Sequence, residues 1–179
     1  MNPITEQILL HLYYTADTAF SYRFKKAFFI DDLFPGAWKN FKREEIKDSL
    51  KELNRLNYIK KKENYDGSVL VSLSEKGKLR ILNMRFRRLG DRKEKWDGKW
   101  RMVAFDIPNT RRKGRDAIRY RLKMGGFHEI QESLFLHPYD CEKEIRDFVE
   151  LFKLQKYVRF GLLEMIDNQE GLKGMFKLV

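Results

Sequence analysis

Cations recur at Lys42, Arg43, Lys47, Lys51 and Arg55, and the apolar residues Ile46, Leu50, Leu53 and Leu56 fall three or four apart between them. That double spacing predicts a helix over 42–56 with one buried stripe and one cationic face. The chemistry of such a face is polyanion binding, because each cation that neutralises a phosphate releases condensed counterions. Three more lysines follow, Lys60, Lys61 and Lys62, and Tyr65 stands just before an Asp66-Gly67 pair. Glu44, Glu45 and Asp48 lie among the cations and partly offset them. The competing reading of each lysine is a solvated side chain on an exposed face.

No catalytic constellation of comparable clarity is present. Gly125-Gly126 lacks the following Lys-Ser/Thr of a phosphate loop. His11, His128 and His137 show no metal-ligand spacing. Cys141 is the only cysteine, so no internal disulfide or cysteine-rich zinc site can form. It reads as a passive thiol, since nothing beside it in sequence would depress its pKa. The expectation is a protein that is not an enzyme and needs no cofactor.

The elements that must position these residues are legible from pattern. Thr5 is expected to cap a first helix whose apolar positions are Ile8, Leu9, Leu12 and Tyr13. A second helix is expected over 20–30, and Pro35-Gly36 breaks the chain. After the cationic third helix, strands at 58–63 and 69–73 flank the Asp66-Gly67 turn, a hairpin signal. A helix from Ser74 or Glu75 to about Arg88 closes the block. Three helices, a hairpin and a helix is the order of a winged helix-turn-helix. Ile46, Leu50, Leu53, Tyr58, Ile59, Ser74 and Gly77 fall in a pattern that resembles that superfamily. In it the third helix enters the major groove with its N-terminal residues near base edges. The resemblance implies that Arg43 and Lys47 reach base edges, an arginine–guanine pair being worth roughly 1–3 kcal/mol of discrimination. Lys42, Lys51 and Arg55 would then hold phosphates. Strand alternation puts Lys60 and Lys62 on one face of the wing and Lys61 on the other, with Tyr65 at the tip.

The second block reads β-α-β-β-α-β, the ferredoxin-like plan. Its strands are expected at 100–106, 127–131, 133–137 and 157–163. Its first helix, 110–124, carries Arg111, Arg112, Lys113, Arg115, Arg119 and Arg121 at its start and along its length, and Gly125-Gly126 stops it. Those cations either contact a DNA backbone or pair with Glu142, Glu144 and Glu150. Tyr139-Asp140 begins the second helix, with Ile145, Phe148, Val149 and Phe152 as its apolar face. The fold class is therefore α+β: a winged helix at 1–88, a charged linker at 89–97 and a ferredoxin-like dimerisation domain at 98–179. Phe105, Leu134, Phe135, Leu162 and Leu163, with the tail 172–178, exceed the apolar surface one small sheet face needs. Either a second copy covers the excess or the tail folds back on its own sheet.

The run W-D-G-K-W-R-M-V-A-F-D-I-P at 96–108 is followed by Arg111-Arg112, Gly125-Gly126-Phe127, Gln131 and Ser133-Leu134-Phe135. Together these resemble the central Cas-two-like domain of PaaX-type repressors. The resemblance implies a homodimeric, sequence-specific regulator of transcription, a repressor acting on double-stranded DNA. PaaX-type repressors carry a further C-terminal domain, whereas this sequence stops at Val179, so no small-molecule effector is assigned. Cas-two proteins usually lack a winged helix, which favours a regulator. In Cas-two-like proteins the residue matching Asp106 is implicated in metal-dependent phosphodiester cleavage, one carboxylate coming from each subunit. The alternative is thus a nuclease or a structural DNA-binding subunit using paired Asp106 residues and a magnesium ion that keeps several waters. Against it, Asp106 would simply cap the turn or helix start at 108–112.

Charge and composition agree with nucleic acid as partner. The net charge is +11. Residues 1–95 hold 21 Lys+Arg against 13 Asp+Glu, and residues 96–179 hold 16 against 13, so the excess sits in the first block. Hydrophobic residues make up 42% and aromatics 14%, enough for packed cores. No apolar run is long enough for a membrane span, and no basic n-region opens the chain, so a cytoplasmic protein is expected.

Overall fold

The computed structural model describes residues 2–16, 23–25, 42–63, 65 and 68–178. The chain divides into two compact units, Met1–Ile81 and Leu82–Val179.

The first unit contains α1 (Pro3–Ala16), β1 (Arg23–Lys25), α2 (Arg43–Arg55), β2 (Ile59–Glu63), β3 (Ser68–Leu73) and the start of α3 (Glu75–Gly90). Proline at the first position of α1 gives up only an N–H that would be orphaned there. The Asn2 carboxamide oxygen accepts from Ile4 N–H at 2.8 Å. Thr5 therefore is not the cap; it lies inside α1, fully buried. The expectation of a second helix over 20–30 also fails where it is described. Residues 23–25 are strand, paired antiparallel with β3 through Phe24↔Val69. An aromatic run is compatible with either state, and the open edge of β3 supplies backbone partners that an isolated helix would lack. The remainder of 20–30, Pro35-Gly36 and the Asp66-Gly67 turn lie outside the described residues. The sheet order is β1-β3-β2. Ile8 and Leu9 of α1, Ile46 and Leu53 of α2, Ile59, Val71 and Ile81 close one apolar core.

A tight joint follows α2. Asn57 adopts φ 58°, turning the chain, and Tyr58 N–H returns to Leu53 O at 2.9 Å. The Ser74 hydroxyl donates to Asn57 O at 2.6 Å and accepts from Gly77 N–H at 3.0 Å, capping α3. A Cβ on Gly77 would lie 2.0 Å from the Tyr58 carbonyl oxygen. The Ser-x-x-Gly spacing is thus a close backbone approach between α3 and the turn after α2.

The second unit contains the remainder of α3, then β4 (Trp100–Phe105), a 3-10 turn (Asn109–Arg111), α4 (Arg112–Met124), β5 (His128–Gln131), β6 (Leu134–His137), α5 (Glu142–Leu151), β7 (Val158–Leu163) and α6 (Gln169–Phe176). The strands form one antiparallel sheet in the order β5-β6-β4-β7. Alternation along β4 sends Val103 and Phe105 to one face and Trp100 and Met102 to the other. The first face packs Phe135 and Val158 against Ile118 and Leu122 of α4 and Ile145 and Phe148 of α5. Leu82, Phe86 and Leu89 join this same core, so the last turns of α3 belong with the second unit. Gly125 permits close packing there, since a Cβ would meet Phe86 O at 3.2 Å.

The second face is covered by α6, an element the sequence pattern did not mark. Leu172 is buried with Trp100 and Leu136, and Ile166, Phe176 and Leu178 pack around them. Of the two readings of the tail, it folds back. Phe105 and Phe135 are core residues of the helix-covered face, Leu163 packs beneath the tail, and Leu162 remains 51% exposed. Among the described residues, no helix is long and apolar enough to cross a membrane.

Candidate nucleic-acid interface

Helix α2 separates its faces as its spacing dictates. Ile46 and Leu53 are buried, whereas Lys47, Lys51 and Arg55, four residues apart, are exposed on one stripe. Lys42 is the N-cap and is exposed; its N–H donates to Glu45 Oε2 at 3.0 Å. Glu45 therefore satisfies a helix-end donor and does not simply dilute the charge. Asp48 pairs with Lys51 at 2.9 Å, with both side chains more than 70% exposed. Such a pair is weak and screened, so it leaves Lys51 available to a stronger anion. Arg43 opens α2, and its side chain lies outside the described residues. The C-terminal end of α2 is held by Lys76, whose Nζ donates to Leu56 O at 3.0 Å and sits over the Tyr58 ring. A cation at a helix C-terminus matches the dipole.

The hairpin carries its lysines as alternation requires. Lys61 pairs across with Val71 and shares the face of buried Ile59, while Lys60 and Lys62 pair with Ser72 and Leu70 on the other face. All three lysines are exposed, and Tyr65, between the two strands, is fully exposed. Lys42, Lys47, Lys51, Arg55, Lys60, Lys61, Lys62 and Tyr65 are thus all at the surface of the first unit.

The cations of α4 find partners other than the expected acids of α5. Arg119 pairs with Glu129 at 2.6 Å, Lys123 with Glu129 at 2.9 Å, and Arg112 with Asp116 at 3.5 Å. Lys123 holds the Glu129 carboxyl below its ordinary value. Arg121 is buried, its guanidinium over the rings of Phe148 and Phe152, and burial lowers its pKa. Arg111 lies over Tyr157 and donates to Lys153 O. Glu144 of α5 instead meets Arg85 of α3 at 2.7 Å, and Asp147 takes the other arm of the same guanidinium at 2.7 Å. The start of β4 is held by Arg101, which grips both Asp97 oxygens at 2.6 and 2.7 Å and keeps the Asp97 carboxyl at about 2.

Asp106 follows β4 and is exposed; its N–H donates to Tyr157 O at 2.9 Å. The capping expectation fails: no side chain caps the 3-10 turn or α4. Asp106 instead borders an open groove of about 550 Å³ together with Gln131, Ser133, Lys156 and Arg159. Gln131 and Ser133 were already singled out by their motif. Lys156 and Arg159 were not, because only the register of β7 beside β4, with Ala104 opposite Arg159, brings them there. Among the described residues, no group of three or more His, Cys, Asp or Glu side chains could hold a metal ion. Among the described residues, Asp106 is one carboxylate without a ligand set around it. The histidines do not converge either. His137 is buried, with Tyr139 N–H donating to its Nδ1, and burial lowers its pKa to about 4. Cys141 is buried, which pushes its thiol well above the ordinary range and keeps it unreactive.

No curated protein matches this chain. Among solved structures, it aligns over 96% of its length with the uncharacterized protein Rv0674 from Mycobacterium tuberculosis, at 18% identity and a TM-score of 0.37. The chain spans 65% of that protein's length. Residues 93–171, which hold β4 to β7 and the groove beside Asp106, match the family model of the PaaX protein central Cas2-like domain, and this supports a PaaX-like relationship.

Proposed function

We propose that this protein is a sequence-specific DNA-binding regulator of transcription, a repressor of the PaaX-like kind, that acts as a homodimer. One observation carries the reading. The helix whose apolar face closes the first core exposes Lys47, Lys51 and Arg55 on its other side, and a hairpin bearing Lys60, Lys62 and Tyr65 follows it directly. The element order and the β1-β3-β2 sheet suit a winged helix-turn-helix, with α2 as the helix that enters the major groove and the β2–β3 hairpin as its wing. The βαββαβ order of the second unit suits a ferredoxin-like fold, and its Cas2-like match supports the family reading. The groove beside Asp106 is the part of that sheet face offered to a partner copy, since α6 covers Trp100, Leu136 and Leu163 on the rest of it. Two copies would present two α2 helices to a dyad-symmetric site. Repression would follow from steric exclusion of polymerase and requires no catalysis or cofactor.

The test is selection from random oligonucleotides at about 150 mM salt, where non-specific binding is suppressed. One enriched motif with dyad symmetry is the expected result. Uniform, salt-sensitive binding with no motif would sink the reading. A second reading, a magnesium-dependent nuclease, rests on the open groove beside Asp106. Cleavage of DNA in magnesium by the wild type and not by Asp106→Ala would establish it, and in the regulator reading neither protein cleaves DNA.

A further inference from the structure

A second recess in the Leu82–Val179 unit takes no part in the DNA reading. It lies between the segment after α3 and the end of α6, with a volume of about 510 Å³. Three aromatic side chains wall it: Trp96, Tyr139 and Phe176. These walls are fixed from behind. The Trp96 ring lies 4.9 Å from Trp100, and Phe176 lies 5.8 Å from Trp100. His137 stands edge-on to both Tyr139 and Phe176. Trp100 and His137 are buried, so the walls rest on a rigid aromatic layer. Pockets of this size, apolar and already formed, are the usual home of a small organic ligand.

The rim is cationic. Arg92, Lys93, Lys95 and Lys177 line it, against the single carboxylate of Glu94. Arg92 is engaged, donating to Asp140 O at 2.6 Å and lying 3.8 Å from Glu94. Among the described residues, no carboxylate pairs with Lys93, Lys95 or Lys177. Other lysines of the same unit do have partners: Lys99 with Glu164, Lys123 with Glu129 and Lys173 with Glu170. Solvated lysines alone would mean nothing. Three unpaired ones around an aromatic recess form a complementary surface for a molecule with one flat apolar end and one anionic end.

We propose that this recess binds a small planar aromatic anion, its ring against Trp96, Tyr139 and Phe176 and its phosphate or carboxylate between Lys93, Lys95 and Lys177. The ligand would bridge the segment after α3 to the end of α6. It therefore ties α6 down on the sheet face, and amide exchange in residues 169–178 slows when it binds. The proposal stands whether or not the first unit reads DNA.

Calorimetric titration of the full chain separates the two halves of the ligand. Phenyl phosphate carries both ring and charge, phenol only the ring and inorganic phosphate only the charge; adenosine monophosphate distinguishes a nucleotide from a simple aryl acid. The expected result is that phenyl phosphate or adenosine monophosphate binds at least about tenfold more tightly than phenol or inorganic phosphate. The exposed pair Lys93→Gln and Lys177→Gln should remove about tenfold of that affinity without changing the melting temperature. Binding no tighter than inorganic phosphate, binding indifferent to the double substitution, or no heat at about 10 mM ligand would overturn the proposal.

Discussion

Arg85 centres a buried charge cluster in the second unit. It is 7% exposed and answers two carboxylates, one of them, Glu144, equally buried. Removing a buried cation leaves its partners charged and unhydrated, at a cost of about 3–5 kcal/mol. Arg85→Met is therefore expected to lower unfolding free energy by that order in urea titrations. A loss under about 1 kcal/mol would show that the cluster is hydrated. His137 gives the pH prediction. The unfolded imidazole protonates near its ordinary 6.5, and the folded one only near 4. Its contribution to stability is therefore complete above pH 6.5 and is lost as pH falls from there towards 4. The full difference is at most about 3 kcal/mol. Stability of the wild type should fall over that window relative to His137→Phe. Parallel pH profiles for the two proteins would remove His137 as the cause.

At the scale of elements, the joint between α2 and α3 is tightly constrained. Asn57 turns the chain, Ser74 ties the turn to the cap of α3, and Gly77 lets the helix press on Tyr58 O. A methyl group 2.0 Å from a backbone oxygen cannot be relieved by a rotamer change. Gly77→Ala should cost about 3 kcal/mol, at the upper end of overpacking, by chemical denaturation. Ser-x-x-Gly was legible as a motif, but its reason was not, because the oxygen that Gly77 accommodates lies 19 residues earlier in the chain. Likewise the cationic character of α4 was plain in sequence. Its partners Glu129 and Glu132 were not, because the turn from α4 into β5 brings them back alongside Arg119.

For the molecule as a whole, the proposed function makes a thermodynamic prediction. Each lysine that neutralises a phosphate contributes about one unit to the slope of log affinity against log salt. Replacing Lys47 and Lys51 together by Ala should flatten that slope by about two and weaken binding to every sequence. Fluorescence anisotropy at several salt concentrations measures it. Because both residues are exposed, the melting temperature should hardly change. An unaltered slope would place the DNA contact elsewhere.

Local pattern alone determined where the elements lie and which face of α2 is cationic. The three-to-four spacing of Ile46, Leu50 and Leu53 fixed the cationic face of α2, and the β-prone runs on either side of 64–67 marked β2 and β3. The alternation of apolar runs marked β4 to β7 and the helices between them. Period and turn chemistry are properties of neighbouring residues, so they survive in a one-dimensional text. Tertiary structure decided what meets what. It made 23–25 a strand because β3 had an edge to offer, and it folded the tail over Trp100 and Leu136. It gave Glu144 and Asp147 to Arg85, and it drew Lys156 and Arg159 beside Asp106. Each of these depends on partners distant in sequence, where the free energy of covering a face or pairing a charge outweighs the small differences in local propensity.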